Sequence, residues 1–235
     1  MDRCLSEGPL TDFGDFDVDN EAGGESFVRS VRAQLSTLTT AHPKSRFLAL
    51  GGDHLTALPF LERALALHPN LQILHIDAHT DLRDDWEGER FSHATVMRRV
   101  LDVMPQTAAL HAAGIRSGLR EEFALARADP RITLVPRTHG ALLSCVRRLG
   151  GAPVYVTLDA DGLDPAVLPG TGTPEPGGLS FLEVEDALVA LAQGAAPMVG
   201  ADLVEVAPPL DPSGVSVVVA ARLARTLLLA LGAHR

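Results

Sequence analysis

Short apolar runs alternate with longer helix-patterned stretches along almost the whole chain, and this alternation restricts the folds open to it. The runs at 47–50, 71–76, 109–115, 132–135, 154–158 and 198–204 read as strands. Helical periodicity covers 25–40, 55–67, 95–104, 119–128, 139–149 and 181–193, the last opened by a Ser180…Glu183 capping-box pattern. Strands that are apolar at nearly every position must be buried on both faces, as in a parallel sheet sandwiched by helices. The expected fold class is α/β, a three-layer α-β-α arrangement with a mostly parallel central sheet. Residues 1–235 show no linker, internal repeat or low-complexity tract, so one catalytic domain is expected.

The net charge of −10 argues against nucleic acid and anionic membranes as partners. The apolar stretch 215–231 comes nearest to a membrane span, but Arg222 and Arg225 interrupt it, and it reads as a buried or interfacial helix. The first 19 residues are acidic rather than of signal-peptide type, and Cys4 and Cys145 form no disulfide framework. A cytoplasmic protein is expected. Acidity has a second use, because carboxylates can hold metal ions.

In a parallel sheet, ligands bind beyond the carboxyl ends of the strands, and four such junctions here are polar. Gly51-Gly52-Asp53-His54 follows the first strand, its glycines permitting a tight turn with His54 at the sheet mouth. In 75–81 (His-Ile-Asp-Ala-His-Thr-Asp), extended spacing puts Asp77, His79 and Asp81 on one face. Polar groups so placed are too costly to desolvate unless paired or bound to metal; a hydrogen-bonded turn or ion-pair cluster is the alternative. His75 reads as a satisfied core histidine or one that supports a ligand. Asp159 and Asp161 repeat the spacing after the fifth strand, while Asp164-Pro165 reads as a turn-former. Two carboxylates that close repel, and one takes up a proton unless a cation lies between them. Glu205 ends the last strand, three residues after Asp202, which could equally be structural.

Four aspartates and two histidines exceed what a single zinc ion uses. Oxygen-rich ligation with some imidazole suits Mn²⁺ or a similar ion. Two ions sharing a water would lower its pKa and make it a nucleophile, which points to a hydrolase.

These motifs resemble the three metal-binding signatures of the ureohydrolases, the arginase/agmatinase family. The resemblance is closest to agmatinases in 170–179 (Gly-Thr-Gly-Thr-Pro-Glu-Pro-Gly-Gly-Leu), in 204–209 (Val-Glu-Val-Ala-Pro-Pro), and in 91–95 (Phe-Ser-His-Ala-Thr) with Arg98 and Arg99; it runs from about Asp12 onward. It implies an arginase/deacetylase-like fold and two Mn²⁺ per chain. One ion would be held by His54, Asp77, Asp81 and Asp159, the other by Asp77, His79, Asp159 and Asp161. It implies a metal-bridging hydroxide that attacks a guanidinium carbon to release urea and an amine, with agmatine as first substrate and arginine or guanidinobutyrate as alternatives. Asp81 would orient the hydroxide, His93 would shuttle a proton, and Glu205 would bind the guanidinium. A homo-oligomer, trimer or hexamer, is implied as well.

The sequence also departs from the pattern. The family carries some tens of residues ahead of the segment matching 11–15, so an edge strand is expected to be missing or supplied differently. Leu55 stands in place of serine, Ala94 in place of glycine, and Thr157 in place of serine, keeping the hydroxyl. Asp84, Asp85, Trp86 and Arg116 are candidates for the substrate pocket or for plain loop structure. A zinc amidohydrolase of the deacetylase fold uses one ion and fewer carboxylates. A metal-binding family member without catalysis is the reading from a different class.

Overall fold

In a computed structural model of the protein, which describes residues 10–18 and 23–233, six strands form one sheet. They are β1 (Leu48–Leu50), β2 (Gln72–Ile76), β3 (Ala109–Ala113), β4 (Ile132–Leu134), β5 (Val154–Asp159) and β6 (Met198–Val204). Their order is β1-β6-β5-β2-β3-β4, and every neighbouring pair is parallel. Cys4 lies outside the described residues.

Among the described residues seven helices cover the sheet: α1 (Gly24–Ala41), α2 (Ala57–Leu67), α3 (Val96–Val103), α4 (Arg120–Ala128), α5 (Ala141–Arg147), α6 (Phe181–Gln193) and α7 (Val215–Leu231). Alternate strand residues point to opposite faces, and the two cores follow that rule. Leu74, Ile76, Val154, Val156 and Leu158 pack with residues of α5, α6 and α7. Ile73, Leu110 and Tyr155 pack with residues of α1 to α4. The three-layer expectation is borne out. Leu223, Leu227 and Ala230 bury α7 against the sheet, while Arg222 pairs with Glu185 of α6 at 2.8 Å. No helix among the described residues is long and apolar enough to cross a membrane.

Boundaries moved where special backbone intervenes. A 3₁₀ turn, His54–Thr56, precedes α2. α5 starts only at Ala141 because Gly140 sits at φ 76 as its N-cap. β5 runs one residue further than the apolar pattern, so Asp159 itself ends the strand.

The strand order matters most for the site. The four strands with polar carboxyl ends, β1, β6, β5 and β2, are consecutive neighbours although they are scattered in sequence. Register adds a polar rung: His75 lies beside Thr157, and Thr157 beside Asp202. All three are fully buried.

Candidate metal centre

The turn after β1 is pinned to the end of β6. Gly51 N–H donates to Leu203 O at 3.0 Å and Glu205 N–H to Gly52 O at 2.7 Å. Asp53 caps the short 3₁₀ turn by accepting from Leu55 N–H, which sends the His54 ring down into the sheet end. There His54 Nε2 lies 2.9 Å from the Thr157 hydroxyl, which donates its proton to Asp202 Oδ1 at 2.7 Å. A hydroxyl has one proton, so Thr157 accepts from His54 Nε2–H and leaves Nδ1 to the cluster. His54 Nδ1 faces three carboxylate oxygens: Asp81 Oδ2 at 3.0 Å, Asp77 Oδ2 at 3.2 Å and Asp159 Oδ2 at 3.3 Å. It forms no hydrogen bond with any of them and is fully buried.

A second convergence shares Asp77. Its Oδ2 faces His54, and its Oδ1 lies 3.6 Å from His79 Nδ1. His79 Nδ1 also stands 3.0 Å from Asp161 Oδ2. Asp161 is fixed by two donors, Ala78 N–H to Oδ1 at 3.0 Å and the Thr173 hydroxyl to Oδ2 at 2.9 Å. Asp159 Oδ1 accepts from Asp161 N–H at 2.8 Å, and His75 Nε2 bonds Asp77 Oδ2 at 2.8 Å. The candidate ligand atoms of His54, His75, Asp77 and Asp81 lie within 4.8 Å of one another, as do those of Asp77, His79 and Asp161.

The electrostatics show the strain of this crowding. Burial, with Asp77 beside it, pushes Asp81 up to about 6. Burial and the charges of Asp77 and Asp161 lift Asp159 well above the carboxylate range. Asp77 is buried too, yet the surrounding histidines hold it well below that range. Burial opposes a charged His79, but Asp161 and Asp77 raise it to about 11. Asp81 also adopts φ 53, a left-handed conformation that costs energy and clusters at functional sites.

This donor set fits a pair of divalent cations. A buried imidazole nitrogen facing three carboxylate oxygens calls for positive charge among them. Burial opposes a charged His54, but Asp159, Asp77 and Asp81 lift its pKa well above the ordinary value. A divalent cation answers the same need. Asp77, with one oxygen toward each histidine, is placed to serve both positions. Oxygen donors with two imidazoles suit Mn²⁺ and similar ions.

The remaining expected residues stand at the rim. Glu205, the residue after β6, has φ 60, and its Oε1 accepts from His54 N–H at 2.7 Å. Burial raises its pKa. His93 lies 44% exposed, its Nδ1 3.4 Å from Asp53 Oδ2. The Asp53 carboxylate raises the His93 pKa over the opposing effect of burial. A cavity of about 1020 Å³ along β1 reaches Asp53, Trp86 and His93, but the six expected ligands do not line it.

Of the pocket candidates, Trp86 borders that cavity, its ring 5.9 Å from that of His93. Asp84 pairs with Arg99 at 2.7 Å, and Asp85 accepts from Gly88 N–H at 3.2 Å. Arg116 turns its fork away into backbone carbonyls. Asp164 is the expected turn-former, accepting from Ala166, Gly177 and Gly178 N–H. Sequence reasoning assigned no role to Asp53, Glu122 or Thr173. Asp53 and Thr173 lie inside motifs already singled out. Glu122, buried on α4, accepts from the Thr80 hydroxyl at 2.7 Å and from Leu82 N–H at 3.1 Å. It anchors the ligand loop, yet in sequence it is one more polar residue on an amphipathic helix.

Comparisons with known proteins identify the family. The chain is 42% identical over 183 residues to an agmatinase of Halalkalibacterium halodurans, covering 77% of this chain and 63% of that protein. It is 40% identical over 231 residues to an agmatinase of Bacillus cereus, covering 97% of this chain and 78% of the relative. The solved structure of proclavaminate amidino hydrolase from Streptomyces clavuligerus matches with a TM-score of 0.76 at 30% identity, over 96% of this chain and 73% of that one. The arginase-family model matches residues 1–230. With the fold, the site and the sequence in agreement, the chain belongs to the arginase family.

Proposed function

We propose that this protein is a manganese-dependent amidinohydrolase that hydrolyses a guanidino compound, agmatine first, to urea and an amine. The observation that carries the reading is the buried His54 Nδ1, without a hydrogen bond, set among three carboxylate oxygens at 3.0–3.3 Å. His54, Asp77, Asp81 and Asp159 would hold one Mn²⁺, and Asp77, His79, Asp159 and Asp161 the other. When bound, two such ions supply an activated water at neutral pH.

The chain's own groups do the rest. Glu205 is held by the His54 backbone, and its second oxygen makes no hydrogen bond among the described residues. That leaves a carboxylate oxygen for a charge-assisted bond to the guanidinium. Asp81, fixed in its left-handed turn, orients the attacking water. As the guanidinium C–N bond breaks, the leaving nitrogen needs a proton. His93, kept protonated more readily by Asp53, supplies it and is recharged from solvent at the open rim. Residues 1–235 act as one catalytic domain in this reading, assembled as a homotrimer or hexamer. Agmatine is preferred because two agmatinases are among the similar proteins, while the likeness to a proclavaminate amidino hydrolase supports keeping other guanidino compounds in the test.

The test is urea release from agmatine, arginine and 4-guanidinobutyrate by purified protein, with and without added Mn²⁺. Mn²⁺-dependent urea, greatest from agmatine, is the expected result. No urea from any compound while two ions are bound would make the protein a non-catalytic member. Turnover of acetylated amines with Zn²⁺ would move it to deacetylase chemistry.

A further inference from the structure

Arg116, two residues beyond Gly114 at the end of β3, is half-buried and makes six hydrogen bonds, every one to a backbone carbonyl. Nη2 donates to Asp161 O at 2.7 Å, Leu163 O at 3.2 Å and Glu175 O at 2.7 Å. Nη1 donates to Gly114 O at 3.0 Å and Gly162 O at 3.3 Å, and Nε to Glu175 O at 3.1 Å.

Three of these carbonyls belong to consecutive residues of the turn that carries Asp161. A short 3₁₀ turn, Ala160–Gly162, leaves its last carbonyls without partners inside the turn; Leu179 N–H reaches Gly162 O at 3.0 Å, and one planar fork donates to all three. Glu175 belongs to the loop whose Thr173 hydroxyl holds Asp161 Oδ2. Arg116 therefore clasps from behind both the backbone of Asp161 and the loop that fixes its carboxylate. The turn packs closely against the Asp77 backbone. A Cβ on Gly162 would stand 2.8 Å from Asp77 N, and one on Gly114 would stand 2.7 Å from Asp77 O. No comparable link joins Arg116 to His54, Asp81 or Glu205, which are tied instead through Thr157, Arg98 and Gly52.

We propose that Arg116 is a positioning residue for one half of the centre: it sets the approach of Asp161 to His79 and reaches the His54 half only through Asp159, whose Oδ1 accepts from Asp161 N–H. The proposal rests on the reading that the cluster holds two divalent ions. Lysine cannot replace it, because a single ammonium has three donors on one atom and cannot span carbonyls on separate loops.

The test is Mn²⁺ binding to metal-free wild type, Arg116→Lys and Thr173→Val by calorimetry, with electron paramagnetic resonance to distinguish coupled from isolated Mn²⁺. Wild type should bind two ions. Arg116→Lys should bind one with nearly unchanged affinity and the other roughly 10- to 100-fold more weakly, as for other groups that orient a ligand. Its spectrum at limiting Mn²⁺ should be that of an isolated ion. Thr173→Val, which reaches Asp161 from the solvent side, should weaken the same ion and stands as the measurement if Arg116→Lys does not fold. Two ions at wild-type affinity in these variants, or parallel loss of both, would overturn the proposal alone. Fewer than two ions on wild type would overturn the two-ion reading and this proposal with it.

Discussion

The proton of the Thr157 hydroxyl goes to Asp202, so His54 gives its Nε2–H to Thr157 and turns Nδ1, free of hydrogen bonds, to the carboxylates. A residue's role here is set by which of its atoms are already engaged. Glu205 shows the same principle from the substrate side. Its Oε1 is used by His54 N–H, and a glutamine oxygen could accept that bond equally well, but it carries no charge for a guanidinium. Glu205→Gln should therefore retain both ions while kcat/KM falls roughly 10- to 100-fold, the scale of one charged hydrogen bond of about 1.5–3 kcal/mol. Metal content and steady-state kinetics on one preparation check this. Loss of an ion in the variant would mean that Glu205 belongs to the metal set. His93 at the rim was legible as a residue, whereas its partner Asp53 was not, because nothing in a linear pattern reports a contact between residues 53 and 93.

Among the elements, α7 is tied to the site by Asp211. Its Oδ1 accepts from Ser213 N–H at 3.0 Å and the Ser213 hydroxyl at 2.6 Å. Its Oδ2 accepts from Ser216 N–H at 2.8 Å and the Ser216 hydroxyl at 2.6 Å. The Ser216 oxygen in turn accepts from Gly170 N–H at 2.8 Å, where the loop bearing Thr173 begins. The side-chain bonds from Ser213 and Ser216 hold Asp211 well below its ordinary value of 3.8. A depressed folded-state pKa favours the charged form, so its stabilisation is complete above that ordinary value and is lost as pH falls through the folded value. Asp211→Asn should lower Tm most above about pH 5, with the gap to wild type closing on acidification. Thermal unfolding of the metal-free proteins at several pH values tests it. A gap that does not vary with pH would remove the charge from the explanation. The elements themselves were readable because apolar runs and helical periodicity are local properties. Their ends shifted where a glycine such as Gly140 took a left-handed backbone or where Asp159 prolonged β5.

At the scale of the whole molecule, buried carboxylates couple the centre to folding. Asp81 and Asp159 are pushed upward while Asp77 stays charged, so the bare cluster is a site of repulsion that cations relieve. A ligand that binds only the folded state adds about 2.7 kcal/mol at one hundred times its Kd. For a chain of this size that corresponds to roughly 5–10 °C in Tm for each ion. A Mn²⁺ series followed by thermal unfolding should show this rise, and the rise should shrink at low pH, where protons compete for the same donors. A Tm indifferent to Mn²⁺ up to millimolar concentrations would count against any metal centre.

The sequence by itself determined the sheet-and-helix alternation, the polar junctions and the residue types of the ligand set. These depend on spacing of two or of about 3.6 residues, which a chain carries locally. Only the tertiary structure decided that β1, β6, β5 and β2 lie side by side and that His54 points its Nδ1, not its Nε2, at the carboxylates. It also turned Arg116 from a pocket candidate into a brace for Asp161. Strand order, ring orientation and the target of a long side chain all depend on atoms far away in sequence, and no local pattern encodes them.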